Sequence, residues 1–490
     1  MRLSGLCVFI FLFSFCTAFA QDFSKDYTPL QNYSKGKEHL STFLKLYEED
    51  AATIEITNSK ARNEFNKRVK LHVRELKSTD SARLFMHTDT LTLFLNAIAG
   101  KIKNANSLLA QKNYHITTYR ESSPNASNVG PQFILFNIGL LNRLENEAQV
   151  AFVICHEMAH EYYAHVWAGL KKWCVMSHDK ELKKELKKIY KEEYGSVKKA
   201  EKLLLTYAAN FLEHSRSNEL LADSLGMIFY LNAGYDKKEA AKVMDVLSKA
   251  DEPLYTQKIK FETVFENAEL PFQKEWLGYD STQVFWKPSE ELWKVPDSLK
   301  THPACEIRKD KIYSFSSMAE TGVVGRESFE AFKYIADFEY INVLTQEEQF
   351  AAAVFYSLQL QEKFPENIYL KCTMVESLYE ICEALKAHRF SFVVEMPGPE
   401  YHASYNSLLY FLHNMNSSLL KDITKAYINK NLLKNSGHPY IGYVFILVKS
   451  WELTPEKLQE LIAEYEKQVP DKRYVNKLKL KFKPLKPQKK

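Results

Sequence analysis

The sequence predicts a mainly α-helical protein with one small β-sheet, an α+β fold. Three observations point there. Apolar residues recur at helical spacing through much of the chain, as at Leu91, Leu93, Leu95, Ile98 and Ile102. Only two stretches read as strands, Tyr114 to Tyr119 and Gln132 to Asn137, with a Pro-, Asn- and Gly-containing loop from Glu121 to Pro131 between them. From Met318 to about Pro470 the patterns are helical again.

Residues 1–20 read as a secretory signal. Arg2 is the positive start, Leu3 to Phe15 the apolar core, and Ala18-Phe19-Ala20 the cleavage site before Gln21. A retained membrane anchor is the competing reading. Cys16 follows Phe15, which disfavours lipidation. Past residue 20 no stretch approaches 18 uninterrupted apolar residues, so no transmembrane helix is expected once the signal is removed. The remaining five cysteines are odd in number and scattered, which excludes a disulfide framework and leaves only a Cys372–Cys382 pairing open. Hydrophobic residues at 46% and charged residues at 26% are an ordinary globular balance, and 490 residues suffice for two or three domains. The net charge of +4 is small for this length and no nucleic-acid motif stands out, so no nucleic-acid partner is expected.

Taken in order, residues 21–80 form a polar helical arm, Glu38 to Ala51 and Ala61 to Lys77, suited to packing rather than chemistry. Residues 81–315 form a domain that opens with a long amphipathic helix, Leu84 to Gln111, followed by the two strands. An apolar run, Val150 to Cys155, then leads into a second helix, which suits burial at a domain centre. Residues 171–210 are a charged insertion, dense in Lys and Glu, with Leu182, Leu186 and Ile189 on one side as in a helical hairpin. Ser215 to Gly226 is another helix, and residues 250–300, with Pro253, Pro271, Pro288 and Pro296, are an irregular wrapping loop. Residues 316–476 form an α-helical hairpin domain with helices at Glu327 to Leu344, Thr345 to Lys363, Asn367 to Leu385, Tyr405 to Ile428 and Pro455 to Gln468. The Phe364-Pro365-Glu366-Asn367 link is like that of tetratricopeptide hairpins, although no clean 34-residue period is present. Such arrays bind protein partners or cap a neighbouring domain. Residues 477–490, with seven Lys and two Pro, are expected to be disordered.

The chemistry lies in His156-Glu157-Met158-Ala159-His160. On a helix, His156 and His160 are one turn apart on one face and can hold one zinc ion, with Glu157 beside them as a base. The metzincin pattern needs a Gly where Tyr163 stands, and His165 is one residue too early for its third ligand, so that type is rejected. The remaining arrangement takes a Glu from a second helix. In Ser215 to Gly226, Glu219 and Asp223 share a face. Glu219 completes a His-His-Glu set, and Asp223 is placed to accept the outer N–H of a ligand histidine. Ala222 and Gly226 are small enough for the two helices to approach closely.

These motifs, with the run Ser215-Arg-Ser-Asn-Glu-Leu-Leu-Ala-Asp-Ser-Leu-Gly226, resemble the HtpX / CAAX-prenyl-protease family of zinc metallopeptidases, which are gluzincins. Asn125-Ala126, Gln132 to Leu141, Ala233 to Ala241, and Thr301-His302-Pro303 with Arg308 resemble further parts of that family. The resemblance covers roughly residues 80–315 and implies a gluzincin-type domain with one zinc per chain that cleaves protein or peptide substrates. Without transmembrane helices the chain is similar to an exported branch of periplasmic chaperone-proteases, acting in envelope quality control. Glu157 is then the general base. Phe133, Ile134, Leu135 and Phe136 are expected to bind substrate as an added strand. His302 has two open roles, fourth zinc ligand or oxyanion donor, beside that of an ordinary loop histidine. The rival function is a protein-binding chaperone or scaffold that works through its C-terminal helices, with the zinc core structural or gated.

Overall fold

The computed structural model describes residues 21–31, 37–191, 196–250, 257–268, 270–278, 304–315, 322–398, 401–432 and 437–483. The signal segment 1–20 and the Thr301-His302-Pro303 element lie outside them. The chain divides into two units, neither continuous in sequence: residues 30–251 with 286–340, and residues 1–29 with 252–285 and 341–490.

The first unit opens with helices α1 (Lys37–Thr53) and α2 (Ser59–Ser81). Asn58 caps α2 by accepting from the N–H groups of Lys60 and Ala61. The arm is a cover for the sheet: Phe43, Tyr47, Phe65 and Val69 share one core with Phe85, Phe133, Leu135 and Trp167. Four strands follow, β1 (Phe85–Met86), β2 (His115–Tyr119), β3 (Ala126–Gly130) and β4 (Phe133–Asn137), in the order β1-β2-β4-β3. β2 and β4 are parallel; β1 and β3 run antiparallel to their neighbours. Helix α3 (Thr90–Ala105) starts later than its apolar pattern suggests, because Phe85 and Met86 enter the sheet and Asp89 then caps the helix.

Two expectations about the strands are corrected. The segment Glu121 to Pro131 is not all loop: Ala126–Gly130 is an edge strand. It lacks an alternating apolar pattern because it is only half-buried along most of its length. Conversely, Phe133, Ile134, Leu135 and Phe136 cannot take an added peptide strand. They are buried, and β4 is bonded to β2 on one side and β3 on the other, so it has no open edge.

Helix α4 (Glu147–Tyr162) is buried on every face from Glu147 to Ala159. Its first turn is satisfied by Asn146, which accepts from the Gln149 N–H, and by the carbonyls of Gly325 and Val324, which accept from Glu147 and Ala148. Helices α5 (His165–Ser177) and α6 (Lys180–Ile189) precede α7 (Ser196–Asn232). At 37 residues, α7 joins the outer limb of the charged insertion to the Glu219 stretch without a break. No Gly or Pro occurs between Ser196 and Leu225 to interrupt it. Helices α8 (Lys237–Ser248), α9 (Cys305–Ser314) and α10 (Arg326–Gln346) follow.

The second unit contains α11 (Phe350–Gln361), α12 (Ile368–Lys386), α13 (Ala403–His413), α14 (Ser417–Asn431), α15 (Pro439–Lys449), α16 (Pro455–Gln468) and α17 (Lys472–Lys481). Helix α12 packs against α11, α14 and α15. The expected helix Tyr405 to Ile428 is two, because Asn416 caps a new start at Ser417. The buried Glu376 on α12 accepts from Tyr440 Oη at 2.6 Å, Tyr443 Oη at 2.9 Å and Lys477 Nζ at 3.1 Å, tying α15 and α17 to it. The tail expected to be disordered from residue 477 is therefore helical to Lys481, with Leu478 buried; residues 484–490 lie outside the described residues. Cys372 and Cys382 are buried free thiols and form no disulfide. Among the described residues no helix is long and apolar enough to cross a membrane.

Candidate metal centre

Two helices make the site. Helix α4 presents His156 and His160 one turn apart, and α7 presents Glu219 and Asp223 one turn apart. They pack closely because α7 carries Gly226 at the crossing. A Cβ there would lie 3.1 Å from both the Cα and the N of His156. Ala222, one turn earlier, is fully buried.

At this crossing His156, His160 and Glu219 each turn one ligand atom to a common point, all within 4.8 Å of one another. His156 Nε2 is 3.0 Å from His160 Nε2 and 3.4 Å from Glu219 Oε2, and His160 Nε2 is 3.3 Å from Glu219 Oε1. Bonds of about 2.0–2.1 Å to a tetrahedral zinc place ligand atoms roughly 3.3 Å apart, so two imidazoles and a carboxylate at these spacings fit that ion. Asp223 Oδ1 lies 3.0 Å from His156 Nδ1, the nitrogen turned away from the common point. The sequence therefore brings together its three candidate ligands and the carboxylate behind them.

Arg308 on α9 is the residue whose role the sequence left undefined. Its Nε and Nη2 donate to Asp223 Oδ2 and Oδ1, both at 2.8 Å, and Nη2 is 3.8 Å from Glu219 Oε2. This fork holds the carboxylate in the plane it needs to face His156. Burial disfavours the Asp223 carboxylate, but the Arg308 and His156 bonds override it and hold the group at about 2. Burial likewise opposes a charged His156, yet the facing Asp223 and Glu219 push its imidazole up to about 10 in the metal-free cluster.

Glu157, on the same turn of α4, is buried and accepts the backbone N–H of Asn128 at 2.6 Å. That contact ties the base candidate to the edge strand β3, and nothing in the local sequence signalled it. A cavity of about 560 Å³ opens over the cluster. Asn125, Ala126, Ser127 and Asn128 form one wall, and Phe152, Val153 and Met244 give it apolar lining. His165 Nδ1 approaches His160 Nδ1 at 2.9 Å.

Comparison with known proteins agrees with this arrangement. Residues 94–314 match the family model described as peptidase family M48. The chain is also 30% identical over 153 residues to a protein of Arabidopsis thaliana described as the mitochondrial metalloendopeptidase OMA1. That match covers 30% of this chain and 29% of the relative, so the chain spans less than a third of the relative's length. Residues 94–314 are thus similar to peptidase family M48, and they contain both helices of the metal centre.

Proposed function

We propose that the chain is a zinc-dependent endopeptidase acting on protein substrates. The observation that carries this reading is the convergence of His156, His160 and Glu219 beside a buried Glu157 in one open cavity. Zinc, when bound, supplies a Lewis acid that makes water more acidic and polarises a peptide carbonyl. His156, His160 and Glu219 hold it. Asp223 fixes the His156 tautomer, and Arg308 fixes Asp223. Glu157 takes a proton from water and delivers it to the departing amine. Its anchor, the Asn128 N–H, keeps one carboxylate oxygen engaged and leaves the other for the proton.

The strand for substrate is β3 rather than β4. It is the edge of the sheet, it lines the cavity, and alternation places Ala126 on the same open edge as Asn128. A peptide in extended form would add there through main-chain hydrogen bonds, with little demand on sequence. We also propose export to the cell envelope with a mature start at Gln21, resting on Ala18-Phe19-Ala20. N-terminal sequencing checks it: Met1 or a lipid-modified Cys16 overturns it.

Two substitutions test the role assignment. Glu157→Gln should keep zinc and lower cleavage of an unstructured protein such as casein by about 10²–10⁴-fold. Glu219→Ala should lose zinc as well. Equal zinc loss in both variants refutes the assignment.

A further inference from the structure

We propose that His165 is a positioning residue for the ligand His160, accepting the proton on its outer nitrogen as Asp223 does for His156; this rests on the metal reading above. The two ligand histidines have unlike surroundings. His156 turns its Nδ1 to a buried carboxylate at 3.0 Å. His160 turns its Nδ1 to another imidazole, His165 Nδ1, at 2.9 Å.

The chain makes a special turn to achieve this. Helix α4 ends at Tyr162, and Ala164 takes a left-handed conformation, φ 52 and ψ 36. An alanine adopts that shape reluctantly, because its Cβ crowds the following carbonyl. The Ala164 carbonyl then accepts from the Ala168 N–H, so α5 begins at once with His165 as its first residue. The reversal carries His165 back over the last turn of α4, where its ring meets that of His160 edge-on at 4.9 Å between centres. Tyr163 stacks against the same ring, with 5.4 Å between centres.

The direction of the hydrogen bond follows from the ligand role. If His160 Nε2 faces the metal, the proton of a neutral ring sits on Nδ1. It can only donate, so His165 Nδ1 must accept and His165 must carry its own proton on Nε2. His160 is thus fixed in one tautomer and one ring orientation by a neutral acceptor, while His156 is fixed by an anionic one.

The test is zinc affinity, measured by competition with a chromophoric chelator, on His165→Phe, His165→Ala and His165→Asn. An asparagine Oδ1 falls close to the place of a histidine Nδ1 and can only accept. Phe and Ala should weaken zinc binding by about 10–100-fold. Asn should restore most of the loss, and a cobalt-loaded sample should keep its wild-type visible spectrum in Asn but not in Phe. Thermal unfolding without metal separates this from a folding defect, since the three metal-free variants should melt together. Wild-type affinity in Phe and Ala, or an Asn variant as impaired as Phe, overturns the proposal. A wild-type chain that binds no zinc overturns the metal reading itself, and this proposal with it.

Discussion

Zinc binding should expel a proton from His156, and the size of the effect follows from the cluster. In the metal-free protein two carboxylates face this ring and push it up to about 10. At pH 7 the neutral, ligand-competent form is then about one part in 10³, which weakens the apparent zinc affinity by roughly 4 kcal/mol relative to a site already neutral. Between pH 7 and 9 the logarithm of the apparent association constant should climb by about one per pH unit, with about one proton released per ion. Calorimetric titration in buffers of different ionisation enthalpy reads the proton count directly. The same ring governs metal-free stability. Its folded value lies above the ordinary 6.5, so the contribution is fully present below that pH and is lost as pH rises toward about 10. At full size the loss is roughly 5 kcal/mol, and zinc-loaded protein should not show it. A flat affinity from pH 7 to 9 with no proton released refutes the reasoning.

Two further substitutions probe the supports of the site. Gly226→Val places side-chain atoms against the His156 backbone, so it should lower stability by about 1–3 kcal/mol and weaken zinc binding together, as read by urea unfolding and metal content. Arg308→Leu leaves Asp223 charged and buried without its fork; metal-free unfolding should show a loss of about 3–5 kcal/mol, and an unchanged midpoint would mean the pair holds nothing in place.

What could be read from the sequence was what lies close along the chain. The spacing of His156 and His160, and that of Glu219 and Asp223, is set by one helical turn, and short apolar and small residues announce the crossing of their helices. Long-range partners carry no such periodic mark. Arg308 reaches Asp223 across 85 residues, and Asn128 reaches Glu157 across 29. The exchange of roles between β3 and β4 has a related cause. A continuous apolar run such as Phe133 to Phe136 is what an interior strand needs, whereas an edge strand can be polar enough to pass for a loop. Helix α15 leaves no helical period in the sequence, because Tyr440 to Val448 is apolar on nearly every face.

The first turn of α4 imposes an order in time on how this protein comes into being. The carbonyls that receive its Glu147 and Ala148 N–H groups belong to Gly325 and Val324. A ribosome adding roughly 5–20 residues per second makes the later segment about 10–40 s after the helix itself. Throughout that interval Asn146 can cap the histidine helix at Gln149, but the Glu147 and Ala148 N–H groups lack those two acceptors, and Arg308 has not yet been made for much of it. The full set of supports around the metal centre is therefore completed only after residues that follow the motif have been made. A ribosome-bound chain halted before residue 324 should lack it, while one halted well past Tyr340 should have it. On the function proposed above, such a delay would keep the site unfinished while its own unfolded chain is the nearest substrate.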